Sequence, residues 1–429
     1  MQVSTNLIGY VKVLIAKPKA KQVLGLFSVN ILGIPISIVT SIVVTRYMGP
    51  DLYGDFKFLN NIFSLCMVLF TFGFFQAGNR AIVLVDDKSK IREYYGAEFI
   101  LTCIIFFIMS ICLVIYSFLD SNIAEKNLSS YLLCMIPFGW IYLFQRLFET
   151  ILPSDNSIKL LGIVRIVPKI GTLLLVVVAF FFFRGLKVDR LAVIIISYLL
   201  VQAISYIYVS FKLDYSFNNF LFRLKELFRY NKEFGFNVYL GALFAVGFST
   251  LTGIMISYFG NSNVGVGYYA LALTCASPLS FIPNTIATTH YKDFANWSMV
   301  DRKVLLITVL LSAIALLALY VLIGPFISLC YGSDFSSVIQ LCYIVSVGVI
   351  IHGFGDFYNR FLGAKGFGVA IRNGAFITGL SIMILNCLLI PKYGAYGAAF
   401  VNVISSFVYF FCMFGYYLKY RRRYYVTKD

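Results

Sequence analysis

Five basic residues stand where the surrounding sequence is apolar: Arg146, Arg165, Lys169, Arg360 and Arg372. Ionisable side chains in such stretches are costly and tend to face a water-filled path. Cations there suit an anionic ligand, and the planar guanidinium matches phosphate oxygens with a two-pronged contact. Arg165 and Lys169 are four apart and share one helix face, with Pro168 placed to bend that helix. Arg146 and Arg165 flank one short loop, and Arg360 and Arg372 flank a matching loop in the second half. The competing reading of each is a side chain that snorkels to an interface. His352 and Asp356 are also four apart, among Gly353 and Gly355, and could exchange a proton or pair locally with Arg360. Glu98 and Glu149 are alternatives for such an ion-coupling role. No His/Cys cluster has metal spacing, and no Ser/His/Asp set or paired-carboxylate motif stands out. The chemistry expected is therefore binding and movement of an anion, with no catalysis, cofactor or metal.

These residues must be carried by membrane spans. The 429 residues are 60% hydrophobic and 13% charged, with mean hydropathy +0.85. A soluble domain carries about twice that charge. Crossing ~30 Å of hydrocarbon takes ~20 mostly apolar residues of helix. Twelve stretches qualify: 23–45, 54–75, 97–119, 128–150, 161–183, 190–211, 234–258, 266–289, 304–330, 338–362, 371–390 and 394–418. The longest hydrophilic segment, 212–233, is too short for a soluble domain. No G-x-x-x-x-G-K-[ST] loop is present, which argues against a self-contained ATP-driven pump. Residues 1–22 carry four lysines and no acid, read as a basic cytoplasmic lead-in without a cleavable signal. The nine cysteines fall mostly inside spans without paired spacing and read as small apolar packing residues.

Orientation follows from the basic residues. With the N-terminus inside, 28 of the 35 lysines and arginines fall on the inner loops and span ends, and 7 on the outer ones. Both termini are then cytoplasmic. The net charge of +16 reflects this topology and anionic lipid headgroups, not nucleic acid. The discordant outer loop is 184–190, which holds Arg184, Lys187 and Arg190. The cluster Lys419, Arg421, Arg422 and Arg423 reads as a topology anchor.

Two halves repeat. Phe144-Gln145-Arg146 closes span 4, and Tyr358-Asn359-Arg360 closes span 10. Glycine-rich outer turns at 46–56 and 258–269 each lead into an aromatic helix start. The chain reads as an all-α transmembrane protein of two six-helix lobes, 23–211 and 234–418. A basic linker at 212–233 joins them, and a basic tail, 419–429, follows. Six spans per lobe imply a parallel repeat about an axis along the membrane normal.

The same residues carry a family resemblance. Thr45-Arg46-Tyr47-Met48-Gly49-Pro50-Asp51-Leu52-Tyr53-Gly54 resembles the first external turn of bacterial polysaccharide exporters. Val266-Gly267-Tyr268-Tyr269-Ala270-Leu271-Ala272 is similar to the start of their eighth helix. Leu329-Cys330-Tyr331-Gly332-Ser333-Asp334-Phe335 and Leu389-Ile390-Pro391-Lys392-Tyr393-Gly394-Ala395-Tyr396-Gly397-Ala398-Ala399 resemble their turns before helices ten and twelve. The matches run in order through the chain. The family is that of the O-antigen and capsule repeat-unit flippases, within the multidrug/oligosaccharidyl-lipid/polysaccharide exporter superfamily. The resemblance implies a V-shaped pair of six-helix bundles with a central cleft. It implies a flippase in the bacterial inner membrane that carries an undecaprenyl-diphosphate-linked oligosaccharide to the periplasmic leaflet by alternating access. It also implies membrane lipids, a polysaccharide polymerase and a chain-length regulator as partners.

For that substrate, Arg146, Arg165, Lys169, Arg360 and Arg372 would form a cationic vestibule for the diphosphate. Asn30 would bind sugar hydroxyls, and so would Gln76, Asn79, Gln145, Gln202, Asn237, Asn386 and Asn402, although each fits interhelical hydrogen bonding equally. The abundant tyrosine and phenylalanine suit lipid-facing anchoring, or sugar stacking. Arg80 reads as a loop residue. A drug/cation antiporter of the same superfamily would suit an acidic or apolar cleft. A major-facilitator transporter would carry a basic glycine/arginine loop after span 2, which 77–93 does not match. A polymerase or ligase would carry a large periplasmic loop with catalytic Arg or His.

The topology is open to direct measurement. In a background without native cysteines, an impermeant thiol reagent should reach cysteines placed at 262 and 334 and not those at 226 or 425. Labelling at 425 sinks the arrangement.

Overall fold

The computed structural model describes residues 18–183 and 187–426, with side chains from 33 to 422 within those bounds. Residues 1–17 of the basic lead-in, Arg184, Gly185 and Leu186 of the discordant loop, and 427–429 lie outside the described residues. So do the side chains of Asn30 and Arg423.

Among the described residues the chain is helical, without strands. Lipid offers no partner to backbone N–H and C=O groups, so each span must satisfy them within itself. Eight helices are long and apolar enough to cross a membrane, ten if each of two bent pairs is one span. Two of the long helices, Pro18–Phe70 and Gly368–Val426, each merge two helices across a kink. The breaks sit at Gly49 (φ 78°) and Gly394 (φ 54°), a region of backbone space that side chains disfavour. Aspartates open several helices. Asp120 accepts from Ile123 N, Asp189 from Leu191 N and Ala192 N, and Asp301 from Lys303 N.

The expected second span, 54–75, is not continuous. Gly33–Phe70 and Phe74–Val83 meet at 59°, across Phe72 and Gly73, both with positive φ. Arg80 is therefore in the helix Phe74–Val83, not in a loop. The fourth span also bends, by 44° between Ser129–Phe138 and Trp140–Ile151.

The chain forms two compact units. The first holds Met1–Val44, Thr71–Val114 and Leu133–Asn237. Its aromatic core includes Phe99, Phe144, Phe148 and Tyr206. The polar linker is ordered here as the helix Phe220–Tyr230. Arg223, with a side chain 10% exposed, bonds Glu93 at 2.7 Å and Glu226 at 2.6 Å. Tyr94 donates to Glu226, and Asn219 to Glu93. A wide turn, Asn231–Gly235, then brings Gly235 against Gly73, where a Cβ would meet backbone at 2.4 Å.

The second unit holds Thr45–Phe70, Ile115–Leu132 and Val238–Asp429. Here the two turns read as a repeat meet each other. A Cβ on Gly54 would lie 2.0 Å from the Asn263 carbonyl oxygen. The Asn263 amide donates to Asp55 at 2.8 Å and accepts from Ser257 at 2.6 Å. Lys126 donates to Ser257 Oγ at 2.9 Å. Burial pushes the Lys126 ammonium below its usual value, against the pull of Asp55, Glu125 and Asp120. Arg46 donates to the Cys330 and Leu329 carbonyls. The core of this unit is a cluster around Phe294, Phe357, Phe361 and Tyr417. Of the cysteines, Cys275 and Cys342 are packed inside, but Cys103, Cys112, Cys134 and Cys387 lie on exposed faces. They are not core residues, since an apolar face suffices where the solvent is lipid.

The linker network yields a stability test. Arg223→Ala leaves two carboxylates facing a nearly closed site and should cost about 3 kcal/mol, read as a lower unfolding midpoint in detergent. Combined with Glu93→Ala, the loss should be smaller than the sum of the two single losses. Additive and negligible effects would show that the network holds nothing together.

Candidate functional site

In the first unit, Ile158–Phe183 carries Arg165, Lys169 and the buried Pro168. Proline supplies no backbone N–H to the preceding turn, at the level of both cations. Lys169 Nζ donates to the Gly33 carbonyl at 3.3 Å, and Ser37 donates to the same oxygen at 2.7 Å. A Cβ on Gly33 would lie 3.0 Å from that ammonium, so the absent side chain gives it its place. Arg165 and Glu149 both act electrostatically on Lys169, the first repelling and the second attracting. No carboxylate lies within ion-pair distance of Lys169 among the described residues. Arg146 is half-buried, one turn before Glu149 on Trp140–Ile151. Arg165, Lys169 and Glu149 are thus brought together.

In the second unit, Ser337–Ala364 carries His352, Asp356 and Arg360. Tyr409 donates to Asp356 Oδ1 at 2.9 Å, and Asn284 to Oδ2 at 3.3 Å. Arg360 Nε donates to Asn284 Oδ1 at 3.5 Å. The expected local ion pair between Asp356 and Arg360 is not formed, because Asn284 stands between them. His352 does not bond Asp356 either. Its ring stacks on Tyr409, 4.5 Å between centroids, and the tyrosine hydroxyl completes the link. Gly355 makes room, since a Cβ there would meet the Tyr409 ring at 2.4 Å. Arg372 is exposed, contacts Asn373 at 3.4 Å, and stays apart from this network.

Several candidate polar residues serve packing. Asn79 donates to the Thr150 carbonyl at 2.7 Å, and Asn386 pairs with Thr252. Gln202 accepts from Tyr206. Asn284 and Tyr409 were not singled out from sequence. Asn284 directly follows Pro283 within an apolar helix, a polar residue at a helix-weakening site, which is the signal that could have found it. A separate groove of about 620 Å³ in the first unit is lined by Phe99, Trp140, Phe144, Phe211 and Tyr215. None of the five candidate cations lines it.

Comparison with known proteins places this architecture. A family model described as polysaccharide biosynthesis protein matches residues 20–291. The capsular polysaccharide biosynthesis protein CapF of Staphylococcus aureus is 24% identical over 409 residues, 92% of this chain and 98% of CapF. The solved structure of lipid II flippase MurJ, in an inward closed conformation, superposes with a TM-score of 0.72 at 15% identity. The match covers 94% of this chain and 90% of MurJ. An inward-facing multidrug resistance MATE family transporter of the MOP superfamily superposes at 0.67 with 14% identity, over 94% of this chain and 98% of that one. At these identities the structural likeness shows a shared fold, the two-lobe transporter fold. With more than half its length matched by the family model, this chain belongs to the polysaccharide biosynthesis protein family.

Proposed function

We propose that the chain is a flippase. It moves an undecaprenyl-diphosphate-linked oligosaccharide from the cytoplasmic to the periplasmic leaflet of the bacterial inner membrane by alternating access, with both termini cytoplasmic. The family and the likeness to a lipid II flippase support this reading, as does the basic bias of the inner loops.

The observation that carries it is the pair Arg165 and Lys169. Two like charges share one face of an apolar helix, and among the described residues the lysine ammonium bonds a carbonyl oxygen, that of Gly33. Positive charge gathered on one helix face attracts an anion. A diphosphate supplies about two negative charges and several acceptor oxygens, and charge-assisted hydrogen bonds to it are among the stronger ones. In this reading Arg165 and Lys169 replace water around the diphosphate and Arg146 adds charge nearby, while Arg360 and Arg372 are the candidate cations of the second unit. An acidic or apolar site, which would suit a drug/cation antiporter, is not what this helix face offers.

Complementation of a flippase-null host carrying the cognate sugar-assembly genes tests this. Lys169→Ala or Arg165→Ala should each weaken headgroup binding by about 2 kcal/mol, the scale of a lost hydrogen bond to a charged group. Polymer export should fall severalfold or more at normal protein levels. Arg165→Lys should rescue only in part, because lysine lacks the fork. Normal export by single alanine variants at all five cations would end the cation-site reading.

A further inference from the structure

Within the first unit the helices Phe74–Val83 and Lys88–Leu119 meet at one unusual contact. Glu98 is wholly buried, and among the described residues neither carboxyl oxygen has a hydrogen-bond partner. It lies directly on Gly78, where a Cβ would come within 2.1 Å of Oε1. The Thr102 hydroxyl donates to the Glu98 backbone carbonyl at 2.6 Å and leaves the side chain alone. On the same short helix as Gly78, Gln76 Oε1 is likewise buried without a partner.

Among the described residues no ion pair reaches this carboxyl. On its own helix, Glu93 is held by Arg223 and Asn219. On the facing helix, Arg80 is exposed and its guanidinium lies over Phe234. The loop beside the helix approaches through the backbone of Ser216, at Gly96. On Trp140–Ile151, Glu149 acts on Lys169 and Tyr206, and Phe144 faces Phe99. A bare carboxylate in such a place is far costlier than a neutral acid. A metal cation would need several oxygens, and among the described residues no group of three or more His, Cys, Asp or Glu is assembled. A proton needs only one group.

We propose that Glu98 is a proton-binding site of this transporter, occupied while the helix Phe74–Val83 is packed on it at Gly78 and emptied when that helix lifts away. On lifting, water reaches the carboxyl and takes the proton as hydronium, and the carboxylate is left solvated. The short helix is built for such a movement. Positive φ at Phe72 and Gly73 and the 59° break make a hinge at its start. The proposal rests on the flippase reading only for what the proton drives.

Infrared spectroscopy of the reconstituted full chain, alongside flipping of a lipid-linked oligosaccharide in liposomes, tests it. At neutral pH the wild type should show a protonated-carboxyl C=O stretch that Glu98→Gln abolishes and Asp356→Asn leaves in place. An imposed pH gradient should change wild-type flipping severalfold. Glu98→Gln should lose that response, and Asp86→Asn, in an exposed loop, should keep it. A carboxyl band unchanged by Glu98→Gln overturns the proposal, and so does a full gradient response in that variant. Should the wild type show the Glu98 band and flip no lipid, the flippase reading falls and the proton site stands.

Discussion

Hydrocarbon leaves no backbone N–H or C=O free to find water, and the rest of the architecture follows from that. Each crossing must be a helix that closes its own hydrogen bonds, and the chain can change direction only where the break is tolerated. Gly49 and Gly394 supply two such places inside otherwise unbroken helices. The same constraint governs side chains. Arg223 is accepted in a nearly closed site because two carboxylates, a tyrosine and an asparagine close the network around it. Thr252 and Asn386 satisfy each other in the second unit. Polar groups without partners are therefore the exceptions on which function can rest.

What could be read from the sequence was what is local. Apolar runs of ~20 residues and four-residue spacings depend only on composition and helix period. The shared face of Arg165 and Lys169 was legible for that reason. The break at Phe72–Gly73 was not, because both residues are compatible with an apolar run and hydropathy carries no information on φ. Arg80 was misplaced as a consequence. The matched turns at 46–56 and 258–269 were visible as a likeness, but nothing local says that Asn263 lies against Gly54 and Asp55. His352 and Asp356 have the spacing of a contact pair, yet Tyr409 comes from a distant helix to stand between them. Partners supplied by distant segments are invisible to spacing.

Asp356 and Glu98, two of the three carboxyls considered for ion coupling, end in opposite circumstances. Asp356 has a donor on each oxygen and is joined through Asn284 to Arg360. Its surroundings are built to hold one hydrogen-bonded arrangement. Glu98 has a donor on neither oxygen and a glycine where any other residue would collide with it. The first arrangement specifies a packing, and the second specifies a vacancy that only a proton or a rearrangement can satisfy. A titratable group is informative about coupling in proportion to what its own fold leaves undone.

Glu98, Gly78, Arg165 and Lys169 belong to one compact unit. Ligands that bind one packed body act on the same set of conformations. If an anion at Arg165 and Lys169 favours one arrangement of these helices, and a proton at Glu98 favours one as well, each must change the other's affinity by the same factor. The sign depends on whether the two prefer the same arrangement. Opposite preferences, the proton for a helix pair closed at Gly78 and the anion for the other arrangement, would make release of one favour capture of the other. That is the thermodynamic form of exchange, and it requires no nucleotide.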